Sequence, residues 1–187
     1  HLGGRPPCGG LGEGGARVAR LGRCTAGDDM AGMSASAPML RLPPPIWTMI
    51  FLGLTAAASW LAGLEPIGWP PDRAAIGMAI FFAGGVPPLW AFRDFRRAGT
   101  EIDPTSETNR VLITAGPYRL TRNPMYLGLV IIALGLAVWV GWWPMLAAPI
   151  LAFLTANFVH VPFEEAKMRR QFGAAYDAYA ARVRRWV

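Results

Sequence analysis

Gly116-Pro117-Tyr118-Arg119-Leu120-Thr121-Arg122-Asn123-Pro124-Met125-Tyr126-Leu127-Gly128 lies where a basic connector runs into an apolar segment with no charge from Met125 to Trp143. Pro117 and Pro124 lack a backbone donor and push Gly116 and Asn123 out of helical geometry. Gly116 permits a tight turn, and Pro124 suits the first position of the helix that follows. Arg119 and Arg122 are therefore held on irregular backbone beside a surface apolar enough to be membrane. That placement is costly unless something anionic is bound there.

The segment beyond the turn has counterparts on both sides. The chain has 187 residues, 53% hydrophobic and only 16% charged, with a mean hydropathy of +0.30, more apolar than an ordinary soluble domain. Four membrane spans are expected, at about 46–64, 74–92, 125–143 and 145–159, each near the length that crosses a bilayer core. Gly84-Gly85-Val86-Pro87-Pro88 interrupts the second, so a break or a proline kink is expected there. Trp142-Trp143-Pro144 joins the third and fourth in a tight hairpin, and the chain is expected to leave the membrane at His160-Val161-Pro162-Phe163.

The formal charge is +6. The arginines cluster in the 93–123 connector and the C-terminal tail, whereas the turn after the first span sets Arg73 against Glu65 and Asp72. This pattern places both termini in the cytoplasm, in what reads as a bacterial inner membrane. It accounts for the basic balance without a nucleic-acid partner. Both cysteines, Cys8 and Cys24, fall in the N-terminal tail, and His160 is the one histidine beyond it, so no metal site is expected. Residues 1–40 read as a disordered or non-native tail preceding one domain, 41–187. Its Gly10–Gly15 match to GxGxxG has no strand before it and no helix signal after it. The chain opens with His, and Met30, Met33 and Met39 are plausible starts.

From Phe163 to Trp186 the spacing of Met168, Phe172, Tyr176, Tyr179, Val183 and Trp186 predicts an amphipathic cytoplasmic helix, which Gly173 divides or weakens. Glu165 falls in line with that apolar face, where an unpaired carboxylate is expensive. Glu164 and Glu165 also suit a helix N-terminus through its dipole. Read with the arginine turn, the pair suggests one polar pocket at the membrane surface. An arginine fork grips a carboxylate, a glutamate holds an ammonium or ribose hydroxyls, and an aromatic face accepts a sulfonium or a purine.

The motif Gly116-Pro117-Tyr118-x-x-x-Arg122-Asn123-Pro124-x-Tyr126-x-Gly128 resembles a signature of the isoprenylcysteine carboxyl methyltransferase family, related to the phospholipid methyltransferases. Glu164-Glu165 followed by Phe172-Gly173-x-x-Tyr176-x-x-Tyr179-x-x-x-Val183-x-Arg185-Trp186 is similar to the family's C-terminal pattern. The resemblance covers about Arg93 to the C-terminus. It implies an all-α polytopic membrane enzyme using S-adenosylmethionine, bound by the 93–187 half. Its substrate would be a lipophilic small molecule or a lipid-anchored acceptor, met among membrane lipids. Gly116, Pro117, Tyr118, Arg122, Pro124, Tyr126, His160 and Glu164 would shape the cofactor pocket, with Glu165 and Arg185 nearest the reacting groups. Asn123 stands where many members have His, and Arg184 replaces a usual Pro, so either Arg184 or Arg185 takes the arginine role. The acceptor implied is an isoprenylcysteine-like carboxylate; a phospholipid amine or a small thiol is the alternative on the same fold. A non-catalytic transport or assembly protein is the reading from another class.

Overall fold

Prolines open the helices that frame the cavity described below. In the computed structural model, which describes residues 42–68, 70–98 and 112–187, α1 (Pro44–Leu61) and α3 (Pro124–Val140) each begin with proline in the first turn, where its missing donor costs nothing. α2 (Arg73–Ala98) lies between them in sequence, and every described element is helical, turn or irregular. The expected tail 1–40, with its GxGxxG and cysteines, lies outside the described residues, as does the middle of the connector (99–111). Polar groups within α1 are satisfied locally: Thr48, Thr55 and Ser59 hydroxyls donate to carbonyls of Pro44, Phe51 and Thr55, as an apolar environment requires.

α2 and α3 form the most extensive helix pair, and the sequence chemistry that permits it is small residues at the seam. A Cβ on Gly77 would stand 2.4 Å from the Trp139 nitrogen, and one on Gly135 would stand 2.4 Å from that of Phe81. One on Gly84 would meet the Ile132 nitrogen at 2.7 Å, and one on Gly128 would meet Pro88 at 2.4 Å. Backbones in that contact gain dispersion that larger side chains would prevent. The seam also corrects the expected break. α2 runs unbroken through Pro87 and Pro88. Those prolines remove the helical donors to the Ala83 and Gly84 carbonyls, and the Gly84 carbonyl lies against Gly128 of α3, so tertiary packing supports the weakened turn.

At the far end from the arginine turn the α1–α2 connection docks on the end of α3. Ile67 donates its N–H to the Gly141 carbonyl at 2.9 Å, and the Trp142 indole donates to the Leu64 carbonyl at 2.8 Å. The Arg73 guanidinium donates to the Val138 carbonyl at 2.9 Å and also to that of Trp139, placing a cation on the negative end of the α3 dipole.

After a 3₁₀ turn (Trp143–Leu146), α4 (Ala147–Thr155) passes through a π-helical segment (Ala156–His160) into α5 (Val161–Phe172). The chain therefore passes His160–Phe163, where it is expected to leave the membrane, as continuous helix, with Pro162 in the first turn of α5. Three stretches are long and apolar enough to cross a membrane: Pro44–Leu61, Arg73–Arg97 and Trp143–Phe172. α3 is apolar but has 17 residues, about 26 Å of rise against a core of about 30 Å. Of the two forms expected for the C-terminal helix, the divided one is found. Gly173 takes φ +52 and breaks it; α6 covers Ala174–Arg182, and Val183 is extended.

Candidate active site

The arginine turn is a short 3₁₀ helix, Gly116–Arg119, that a glycine must start. Gly116 has φ +59, and a Cβ there would stand 1.9 Å from Asp94 Oδ2 and 3.0 Å from the Trp90 indole nitrogen. Only glycine meets both conditions without strain. Phe95 packs edge-on to Tyr118 with centroids 5.8 Å apart. The Tyr179 hydroxyl donates to the Tyr118 carbonyl at 2.8 Å, tying α6 to the turn.

The C-terminal tail returns to the same place. The Arg122 N–H donates to the Arg184 carbonyl at 3.0 Å. The Thr121 hydroxyl and the Asn123 amide both donate to the Arg185 carbonyl, at 2.9 and 3.0 Å. Asn123 is therefore a buried structural link between turn and tail. Arg185, and not exposed Arg184, forms the acidic pair: its Nε and Nη2 donate to the two oxygens of Glu165 at 3.0 and 2.7 Å. Arg122 Nη1 lies 3.2 Å from Glu165 Oε1, and the Arg122 side chain is also hydrogen-bonded to the Tyr176 hydroxyl.

One helical position earlier, Glu164 Oε1 accepts the Tyr126 hydroxyl at 2.6 Å. Among the described residues no arginine is ion-paired with Glu164. The π segment sets this geometry. Its wider turn shifts the phase of every residue after it relative to an unbroken α-helix, and so sets the direction in which Glu164 and Glu165 emerge. The hydroxyls of Tyr118, Tyr176 and Tyr179 all have pKa values raised, in each case chiefly by burial, and they stay uncharged at neutral pH.

These groups share one cavity of about 490 Å³. Its polar end carries Tyr118, Arg122, Tyr126, Glu164, Glu165 and Lys167, with Met168, Tyr176 and Tyr179 adjoining. Its apolar side is made by Pro43–Pro45 of the α1 entrance, Pro88 and Phe95 of α2, and Met125, Leu129 and Ile132 of α3. Of the residues expected from sequence, Tyr118, Arg122, Pro124, Tyr126, Glu164 and Glu165 line it. Gly116 and Pro117 build the turn without lining it, and Arg185 stands behind Glu165. His160 lies outside the lining: it stacks on the Tyr126 ring at 6.2 Å and faces a separate pocket of about 10 Å³ beside Thr48 and Thr155. Sequence reasoning passed over Phe95, Lys167 and the α3 wall residues. The apolar wall had no signal apart from its membership of a span, and Phe95 was hidden in the basic end of α2.

Comparison with known proteins adds a decisive observation. The sequence profile described as phospholipid methyltransferase matches residues 73–175. The chain belongs to that family. Membership in the phospholipid methyltransferase family agrees with the two signatures read in the sequence, and the matched region runs from the first residue of α2 into α6. It stops short of Tyr176, Tyr179 and Arg185, so the tail contacts are seen in the structure alone. The chain is also similar to methanethiol S-methyltransferase 2 of Bradyrhizobium diazoefficiens, 32% identical over 149 residues, which are 76% of this chain and 49% of that protein. The chain thus spans about half the length of this curated relative. No solved structure matches it.

Proposed function

We propose that this protein is a membrane methyltransferase that uses S-adenosylmethionine to methylate a lipophilic acceptor at the cavity between the arginine turn and α5. The observation that carries the reading is the composition of that single cavity, a polar end of arginine, glutamate and tyrosine meeting an apolar wall at the ends of α1 and α2. The donor set suits the cofactor: carboxylates for an ammonium or ribose hydroxyls, tyrosine and phenylalanine faces for a sulfonium or a purine, and Arg122 for a carboxylate. Tyr118, Arg122, Pro124, Tyr126 and Glu164 would hold it; Gly116 and Pro117 would hold the turn, and His160 would back the Tyr126 ring. When bound, S-adenosylmethionine supplies an activated methyl group on sulfur.

The protein's own work is placement. Displacement at a methyl group requires nucleophile and methyl in line with water excluded, and the prolines and aromatic rings of the cavity provide a stiff, dry wall. Among acceptors, a thiol is favoured by the methanethiol-named relative and by the engagement of Arg185 with both oxygens of Glu165. A thiol must lose its proton before attack, and Glu164, held by the Tyr126 hydroxyl, is the group assigned to take it. The second reading, an isoprenylcysteine carboxylate, is supported by the Gly116–Gly128 signature; its tail would pass along Leu129 and Ile132 towards the lipid. The cavity end faces the cytoplasm in this proposal, because Arg93, Arg96, Arg97, Arg119, Arg170 and Arg182 lie on the elements at that end.

Calorimetric titration of the purified full chain with S-adenosylmethionine tests the reading: saturable one-site binding is expected, and no heat of binding would remove it. Labelled-methyl transfer to an alkylthiol, a prenylated cysteine analogue and phosphatidylethanolamine then ranks the acceptors, with the thiol expected to be methylated fastest.

A further inference from the structure

Glu165 is 6% exposed, and both its oxygens are occupied. Oε1 takes Arg185 Nε at 3.0 Å and Arg122 Nη1 at 3.2 Å, and Oε2 takes Arg185 Nη2 at 2.7 Å. A carboxylate gripped by a two-pronged fork is poorly placed to accept a proton or to approach a reacting atom, because doing so breaks the Arg185 fork and leaves the largely buried Arg122 guanidinium without this partner. The same Arg185 ends a tail whose backbone carbonyls already hold Thr121, Arg122 and Asn123. Next to it, the Trp186 indole donates to Asn157 Oδ1 at 2.9 Å and packs on Phe153 at 5.0 Å. Asn157 belongs to the π segment. Three chain regions, the arginine turn, the α4–α5 helix and the tail, therefore meet on one carboxylate and one five-residue strap.

We infer that Glu165 is a positioning residue: through Arg185 it fastens the C-terminal tail beneath the arginine turn and so fixes the wall against which the methyl donor binds. This rests on the methyl-donor reading of the cavity, and it revises the expectation that Glu165 and Arg185 touch the reacting groups. Glu164, one residue earlier and bonded to a neutral hydroxyl, is left as the acid of the pair that faces chemistry.

The test uses the full chain in detergent, with Glu165→Gln, Arg185→Ala, the double variant and Arg185→Lys. Two quantities are read: the dissociation constant for S-adenosylmethionine, and the rate at which carboxypeptidase removes the last residues. In the unaltered protein the tail resists digestion. Glu165→Gln and Arg185→Ala each expose it and weaken donor binding roughly tenfold, and the double variant is no worse than either alone, as expected of groups acting as a unit. Arg185→Lys, which keeps the charge but not the fork, falls between and serves if the others do not fold. A Glu165→Gln protein with a protected tail and unchanged donor affinity but no turnover would overturn the inference, as would additive losses in the double variant. Absence of donor binding by the unaltered protein would instead remove the proposed function, while tail protection would still decide the role of Glu165.

Discussion

Tyr126 and Glu164 show how much chemistry can rest on two side chains 2.6 Å apart. Tyr126→Phe keeps the ring that stacks on His160 and removes the hydroxyl. A hydrogen bond to a charged group contributes about 1.5–3 kcal/mol, so turnover is expected to fall about ten- to hundredfold while the protein remains folded; a melting curve beside a methyl-transfer assay checks both parts. The buried tyrosines of the turn give a pH signature. Burial raises the pKa values of Tyr118 and Tyr179 in the folded protein, above an unfolded value of about 10. Below that pH both states keep the protons and the stabilisation is intact. As pH rises beyond it the unfolded chain ionises first and stability is lost. Thermal midpoints should thus drop above about pH 10, and less steeply in Tyr179→Phe, a comparison that circular dichroism can make. At this scale the turn was well legible, since proline, glycine and arginine announce backbone constraint through their own covalent structure. For Glu165 the sequence suggested a shared pocket with the arginine turn, but not the direct bonds to Arg122 and Arg185. Arg122 lies 43 positions away and Arg185 lies 20 away, and no local rule joins them.

Among the helices, the seam between α2 and α3 is the element most sensitive to size. Gly135→Leu would drive side-chain atoms into the Phe81 backbone. Overpacking of this kind costs about 1–3 kcal/mol where neighbours can move, and more is expected against backbone, read as a lowered thermal midpoint in detergent. The π segment makes a sharper prediction. Deleting Asn157 removes the Trp186 partner together with the extra residue, so the helix closes to regular α geometry with Glu164 and Glu165 kept near their present direction. The C-terminal tail should then become open to carboxypeptidase although helical content by circular dichroism is unchanged. The existence of the helices was legible from apolar run length, and Pro124 as the start of α3 followed from its own ring. Continuity through Pro87 and Pro88 was not legible, because it depends on α3 packing on the weakened turn. The π segment was equally hidden: it adds one residue to a turn without altering the apolar pattern that sequence reading follows.

Over the whole molecule, the cavity exists because the helices are joined unevenly. α1 packs on α3 and α4, α2 packs on α3, and α1 and α2 share few direct contacts. The apolar wall with Leu129 and Ile132 fills that interval. Leu129→Trp should therefore raise the acceptor KM severalfold while leaving the dissociation constant for S-adenosylmethionine near that of the unaltered protein; equal losses in both would mean that the wall belongs to the donor's share of the cavity. The architecture as a bundle of apolar helices could be read from composition. The meeting of turn, α5 and tail in one place could be anticipated only by placing two separated motifs on the same side of the membrane, and the fastening of the tail to the turn through the Arg184 and Arg185 carbonyls could not, since any residue supplies a carbonyl.

The grip of Leu64, Ile67 and Arg73 on the last turn of α3 gives the bundle a pivot. Two helices whose connection is fastened there, and which share few direct contacts elsewhere, leave the cavity side as the less constrained side of the bundle. On the proposed reading, that is where an oily acceptor would enter while the fastened end stays shut.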